Sequence, residues 1–319
     1  MRHVTLGRTG LSVSVVGLGA GPVPALMTGD DAAAQREVVA RALAVGINWI
    51  DTAAGYGEGR SEASLGRALR ELGAADKMHV ATKVRLTPAD LVDAEGAVRH
   101  SLAASLDRLG LPTVTLLQLH NGVTPQRGQI AASLTPGDVL GPVRQALERV
   151  RRDGLVRFLG LTGTGTPEAL GEVIDSGHFD TVQVPHHLLE PADAGLLARC
   201  RAHNMGVFAI RVFAGGALLG HPPSAHTLRT PYFPLAVYEE DRRRAARLEA
   251  VLGDEYSVKE IALRFALSGA ATQVALVGLA TPGQVEEVAE LARRGPLPAG
   301  WLTRLSLPRE PPTPEEGLR

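Results

Sequence analysis

Cysteine is almost missing from this chain: Cys200 is the single one among 319 residues. A disulfide framework within the chain is therefore excluded, and a thiolate metal site has too few ligands. In its surroundings, AGLLARCRAHN, Cys200 reads as a small apolar filler. Aromatic residues are scarce at 4%, and so is net charge, at -1. Without an excess of one sign, nothing in bulk draws the chain to nucleic acid or to an anionic membrane. No apolar run reaches the ~18 residues of a membrane span. The opening MRHVTLGRTGLSVSVVGLGAG lacks the apolar core of a signal peptide. The expectation is a cytoplasmic protein, a monomer or small homo-oligomer, with neither nucleic acid nor membrane as partner.

What is present is ordinary globular composition, 45% hydrophobic and 21% charged. Short apolar runs recur at 15–19, 47–53, 79–84, 113–121, 158–163, 181–187, 206–213 and 273–279. They show little polar alternation, as strands covered on both faces do. Between them lie amphipathic segments such as DDAAAQREVVARALAVG and SEASLGRALRELG, with acceptors at the start and glycine at the end. Eight strands alternating with eight helices predict an α/β fold, a (β/α)8 TIM barrel, as one domain over 1–319. HVTLGRTGLSVS predicts an N-terminal β-hairpin able to plug the barrel floor. Long loops at 122–142 and 214–239 follow the fourth and seventh runs, which puts them at the barrel mouth. The last ~15 residues, rich in proline, read as a flexible tail.

An open, doubly wound sheet is the competing architecture. It would carry G-x-G-x-x-G after the first strand. Here Gly17-Leu18-Gly19-Ala20-Gly21-Pro22 has proline where the third glycine belongs, and no acidic residue follows at the right distance. A tight turn at the barrel mouth is the better account.

Ionisable side chains at strand ends are the informative exceptions to an apolar barrel. Asp51 ends the second run, Lys83 lies near the end of the third, and His120 ends the fourth. Tyr56 follows Asp51 on a glycine-rich loop, AAGYGEG. Each alone has an ordinary structural reading: a turn-forming aspartate, a loop tyrosine, a hydrogen-bonded histidine. Together they complement one another. A phenol with a pKa of about 10 is a poor acid at neutral pH, and a neighbouring ammonium favours its phenolate. A carboxylate orients that ammonium, and a histidine beside the phenol orients a carbonyl oxygen. This set suits proton transfer to an oxygen on which charge develops, as carbonyl reduction by hydride requires, or the reverse in alcohol oxidation. It is a poor metal site.

These residues, in LGRTGLSVSVVGLGAG, WIDTAAGYGEGRSEASLGRAL, VATKV and LLQLHN, resemble the aldo-keto reductase family over nearly the whole chain, with bacterial aldose dehydrogenases as the nearest style. The resemblance implies a nicotinamide cofactor across the mouth and a small carbonyl or alcohol substrate. Asp51, Tyr56, Lys83 and His120 fall on its catalytic positions. By the same resemblance Gly19, Ala20, Gly21 and Asp51 lie near the nicotinamide ribose, and Thr162, Gly163 and Gln183 near the carboxamide. Ile210 takes the place of a stacking tyrosine, and Arg211 follows it, facing the diphosphate or an acidic substrate group. Phe213, Gly215, Leu218 and Gly220 belong to the loop over the diphosphate. Gly278, Gln284 and Glu287 fall at the adenosine end, where Leu279, Ala280, Thr281 and Pro282 bring no cation for a 2′-phosphate. The expected cofactor is NAD or NADP, with NAD or dual use favoured unless Arg293 or Arg294 reaches round. His186 and His187, in place of the family's Tyr-Asn, are either structural or in contact with substrate or cofactor.

Two other readings stay open at this level. One is a catalytically weak cofactor sensor or regulatory subunit of the same fold. The other is a Schiff-base enzyme using Lys83, which the nearby Asp51 and Tyr56 disfavour.

Overall fold

The computed structural model describes residues 1–230, 233–252, 255–269 and 271–305. The polypeptide first makes a hairpin, β1 (His3–Thr5) antiparallel to β2 (Ser12–Ser14), joined through a 3-10 turn at Gly7–Thr9. Leu6, Leu11 and Val13 of this unit pack against Trp49, Ala81, Leu116, Phe208, Val274 and Leu276. Those partners come from five different barrel strands, so the hairpin stoppers the barrel interior from below. The approach is close. Gly7 has φ +45°, and a Cβ there would sit 2.4 Å from the Gly206 amide nitrogen.

Eight parallel strands form the closed barrel: β3 (Val16–Gly19), β4 (Trp49–Asp51), β5 (His79–Val84), β6 (Val114–Leu119), β7 (Val156–Thr162), β8 (Thr181–Pro185), β9 (Gly206–Ile210) and β10 (Val274–Gly278). Their order is β10-β3-β4-β5-β6-β7-β8-β9, closing on itself. Each overlaps one apolar run of the sequence, because a strand buried by barrel contents on one face and helices on the other needs apolar side chains on both. The (β/α)8 architecture is thus as expected.

Around the barrel lie α1 (Ala32–Ala44), α2 (Arg60–Glu71), α3 (Ala94–Leu109), α5 (Arg144–Arg152), α6 (Pro167–Asp175), α7 (Ala194–Ala202), α9 (Val258–Ala266) and α10 (Pro282–Arg293). Their first turns are capped by side chains where the sequence offers one: Asp31, Asp93, Thr166, Asp193, Ser257 and Thr281 each accept a backbone N–H. Such a cap stabilises a helix by about 1 kcal/mol. The fully buried Glu62 of α2 accepts from Thr82 on β5 and from Arg108 on α3, tying three elements together. At Gly66, α2 comes so close to α3 that a Cβ would lie 2.4 Å from the Leu109 carbonyl oxygen. Cys200 is buried, and burial pushes its thiol up to about 11, which makes it inert filler.

Several boundaries differ from the sequence reading. The helical segment before β6 begins as a 3-10 turn, Pro88–Asp93, ahead of α3. Ahead of α5 the chain forms α4 (Pro136–Asp138) and a wider turn, Val139–Val143. The helical path breaks at Gly141 (ψ -108°), because Pro142 has no N–H to continue it. The long connection after β9 is only partly loop: Ala214–Leu219 is a 3-10 turn, and α8 (Leu235–Leu252) fills its end and beyond. The count of eight helices is therefore too low. A short α11 (Ala299–Leu305) also occupies the start of the proline-rich tail. The expected flexible end, from 306 on, lies outside the described residues. Among the described residues, no helix is long and apolar enough to cross a membrane.

Candidate active site

A cavity of about 870 Å³ opens at the carboxyl ends of the strands. That is room for a large ligand. Asp51, Tyr56, Lys83 and His120 all line it. Asp51 ends β4 and Lys83 is the penultimate residue of β5, a neighbouring strand. Tyr56 is brought back over the strand ends by three successive left-handed residues, Gly57, Glu58 and Gly59. A side chain at Gly57 would collide with Thr28, and one at Gly59 with Arg108. His120 follows β6, with its backbone N–H on the Val84 carbonyl at 2.7 Å.

Lys83 is 2% exposed and spends its three protons fully. It donates to Asp51, to the Thr52 carbonyl at 2.8 Å and to the Tyr56 hydroxyl at 3.3 Å. Burial works against its ammonium form, but the Asp51 charge and the bonds to Asp51 and Tyr56 outweigh it, and its pKa is held above the ordinary lysine value. The other oxygen of Asp51 accepts from the Gln118 amide at 2.9 Å and from the Gln183 amide at 2.5 Å. The His120 ring stands edge-on to the Tyr56 ring, centroids 5.8 Å apart. Burial, followed by the charges of Lys83 and Arg85, drives the His120 pKa well below the usual histidine value. His120 is thus a neutral imidazole beside the phenol, able to donate one hydrogen bond without carrying charge.

Of the residues expected at the cofactor, Gly19, Gly21, Thr162, Gln183, Ile210, Arg211, Phe213, Gly215, Gly278, Gln284 and Glu287 line the cavity. The Thr162 hydroxyl oxygen is buried and has no hydrogen-bond partner within the protein. Four others do not line the cavity. Ala20 is fully buried and its N–H serves the Asp51 carbonyl. Gly163 faces the barrel wall, where a Cβ would meet Val184 and the Gln183 carbonyl at 2.8 and 2.9 Å. Leu218 packs in the cluster with Ala214, Tyr238 and Ala245. Gly220 ends the 3-10 turn in a left-handed conformation. Gln183 lines the cavity, but its amide N–H₂ is committed to Asp51.

His186 and His187 lie away from the cavity. His186 accepts the Ala192 N–H at 3.0 Å and stacks on Phe265, and burial lowers its pKa to about 4. His187 is fully buried, and neither ring nitrogen has a hydrogen-bond partner. The sequence reading missed Gln118, a fully buried amide inside an apolar run. The logic that marked Lys83 applies equally to it. It also missed Arg85 and Lys259 on the cavity wall, whereas His221, His226 and Phe233 on that wall belong to the long loop expected at the mouth.

Comparison with known proteins accords with this layout. A profile described as "Aldo/keto reductase family" matches residues 16–305. D-threo-aldose 1-dehydrogenase of Pseudomonas sp is 31% identical, over 96% of this chain and 97% of that protein. L-galactose dehydrogenase of Arabidopsis thaliana is 30% identical, over 88% of this chain and 85% of that protein. An aldo-keto reductase from Bacillus halodurans in its holo form superposes with a TM-score of 0.76 at 22% identity, covering 96% of this chain and 95% of that one. A Klebsiella pneumoniae aldo-keto reductase in complex with NADPH gives 0.69 at 23% identity, covering 95% and 93%. This chain belongs to the aldo/keto reductase family and is one of its oxidoreductases.

Proposed function

We propose that the protein moves a hydride between a nicotinamide cofactor and an aldehyde, a ketone or the hydroxyl of an aldose, with Tyr56 as the acid or base. The observation that carries this reading is the Lys83 ammonium, bonded at once to Asp51 and to the Tyr56 hydroxyl, beside a neutral His120 on one cavity wall. Tyr56 would give its proton to the substrate oxygen, and Lys83 would stabilise the phenolate left behind. Asp51, fixed by two amides, would hold Lys83 charged and in place. His120 would aim the oxygen at the phenol through a hydrogen bond. In the oxidation direction the same groups accept the proton.

The residues present fit a nicotinamide dinucleotide, which supplies or accepts the hydride when bound. Thr162 offers its unpaired hydroxyl, and Ile210 and Phe213 offer apolar surface. The cavity runs on from the catalytic wall past Gly215 to Gly278, Gln284 and Glu287. At that far end a 2′-phosphate would find little. Lys259 is held by both oxygens of Glu287, at 2.7 and 2.8 Å. The start of α10 is largely engaged: Thr281 accepts from the Gln284 N–H, the Gln284 side chain accepts from the Ala280 N–H, and Pro282 has none. Arg293 pairs with Glu290 and Arg294 with Glu260, so neither reaches round. This supports NAD over NADP.

For the substrate, the aldose and galactose dehydrogenases among the relatives point to a polyhydroxylated molecule. The test is direct titration with NADH and NADPH, followed by aldoses with the oxidised form of the tighter cofactor. Binding of NADH, turnover of an aldose and its loss in Tyr56→Phe with binding intact are expected. Turnover that survives Tyr56→Phe would overturn the catalytic assignment, and failure of both dinucleotides to bind would overturn the cofactor.

A further inference from the structure

Beyond the catalytic residues, the most unusual residue on the cavity wall is Arg211. It follows β9 with φ +58°, a left-handed backbone that a branched or long side chain rarely takes. Such a conformation persists where the surroundings impose it, and it gathers at sites that bind ligands. The guanidinium lies 3.9 Å over the Phe233 ring. Its Nη2 is 3.4 Å from a carboxylate oxygen of Asp241 on α8. Its Nε is buried and has no hydrogen-bond partner. A Cβ built on Gly215 would lie 3.9 Å from Arg211 Nη1, so the fork rests beside the bare backbone of Gly215. Arg211, Gly215 and Gly216 all line the cavity.

Three cations on this wall are already paired with carboxylates, and the pairs differ in quality. Lys83 is saturated, with Asp51, Thr52 and Tyr56. Lys259 is gripped by both oxygens of Glu287. Arg211 makes one long contact and keeps an unused donor. It is the pair that an incoming anion can open. Position says which anion. In the closed strand order β9 stands four places from β5 in either direction, so Arg211 is across the mouth from Lys83. A substrate reacting at Tyr56 is on the wrong side. The part of a dinucleotide beyond the nicotinamide ribose is on the right one, and that part is a diphosphate, which a planar fork over a glycine backbone suits.

We propose that Asp241 is a displaceable counter-ion, which Arg211 exchanges for the diphosphate of the bound dinucleotide, so that the internal carboxylate competes with the cofactor and eases its release. This rests on the nicotinamide-dependent reading above. It also makes cofactor affinity depend on the charge of Asp241. Burial lifts that carboxyl to about 6, against the pull of Arg211. The other charged groups facing the pair are Glu190 from the connection after β8, Arg244 and Glu240 on α8 itself, and the neutral His187 beside Arg211. Protonation of Asp241 leaves Arg211 to the phosphates, so affinity rises as pH falls through about 6.

The test measures dissociation constants at pH 7.5 for NADH, for ADP-ribose, which keeps the diphosphate without the nicotinamide, and for adenosine, which lacks it. Asp241→Asn is expected to bind NADH and ADP-ribose roughly tenfold tighter, the scale of one partly desolvated ion pair, with adenosine unchanged. In an Arg211→Gln background the gain from Asp241→Asn should vanish. The proposal is overturned if Asp241→Asn leaves ADP-ribose binding unchanged or weaker, or if its gain persists without Arg211. The unsubstituted protein gives a check that needs no folded variant at 241: its ADP-ribose affinity should rise between pH 7.5 and 5.5, and a flat profile overturns the proposal. Failure of NADH and ADP-ribose to bind the unsubstituted protein would overturn the underlying reading as well, a result distinct from any of these.

Discussion

Lys83→Met tests both the architecture of the catalytic wall and its chemistry. The substitution keeps the length and apolar stem of the side chain in a position only 2% exposed. It deletes the ammonium, and three acceptors lose their donor together: Asp51, the Thr52 carbonyl and the Tyr56 hydroxyl. Breaking a buried ion pair by removing one partner costs ~3–5 kcal/mol, because the other charge is left behind. Here Asp51 keeps two amide donors, Gln118 and Gln183, which soften the loss. We therefore expect the lower end, about 3 kcal/mol of unfolding free energy, read as a lower urea midpoint at unchanged slope. Proton transfer through Tyr56 loses its stabilising cation, so turnover should fall ~10²–10⁴-fold. Binding of the dinucleotide, whose other contacts are untouched, should change little. Stability within 1 kcal/mol of the unsubstituted protein would refute the accounting of the buried pair. A loss of stability with turnover kept within tenfold would leave Lys83 a purely structural residue.

Three further outcomes follow from the same geometry. Acid should destabilise the fold: His186 and His187 have folded values of about 4 and about 3 against an ordinary 6.5, so from pH 6.5 down to 4 the unfolded chain takes up more protons and stability falls by several kcal/mol. Asp241, raised to about 6, binds its proton more readily in the folded state and offsets part of this, and a urea midpoint that stays flat from pH 7 to pH 4.5 would contradict the sum. Gly66→Ala should lower the melting temperature by the equivalent of ~1–3 kcal/mol although alanine favours helix by about 1 kcal/mol, because its Cβ meets the Leu109 carbonyl. Glu287→Gln should release Lys259 and tighten NADPH relative to NADH by roughly tenfold in direct titration, whereas an unchanged ratio would mean that this end does not select the cofactor.

The strands and three of the four proposed catalytic side chains were legible for one physical reason. A barrel strand is apolar on both faces, so a charge at its end stands out, and Asp51, Lys83 and His120 stand out at successive strand ends. Gln118 obeys the same rule but is uncharged, and an amide within an apolar run draws less notice. Resemblance assigned the cofactor residues by position along the chain, but alternation along extended backbone decides which neighbour faces the cavity. Gly19 and Gly21 face it while Ala20 does not, and Thr162 does while Gly163 does not. Leu218 does not line the cavity, because its turn packs on α8. That helix carries Tyr238, Ala245, Leu248 and Leu252 at helical spacing, yet the minimal barrel has no place for two helices between β9 and β10. The pattern was visible, and the template hid it.

The N-terminal hairpin has a consequence that reaches to the far end of the molecule. It adds a floor beneath a barrel interior already packed with side chains, and the described cavity opens at the other end. Cofactor, substrate and water then share one doorway, and whichever molecule lies deeper has to enter first and leave last. The hairpin also acts as a keystone, since Leu6, Leu11 and Val13 share one apolar cluster with side chains of β4, β5, β6, β9 and β10, linking strands from opposite sides of the barrel. The shape of the doorway therefore depends on a stretch of chain that never comes near it.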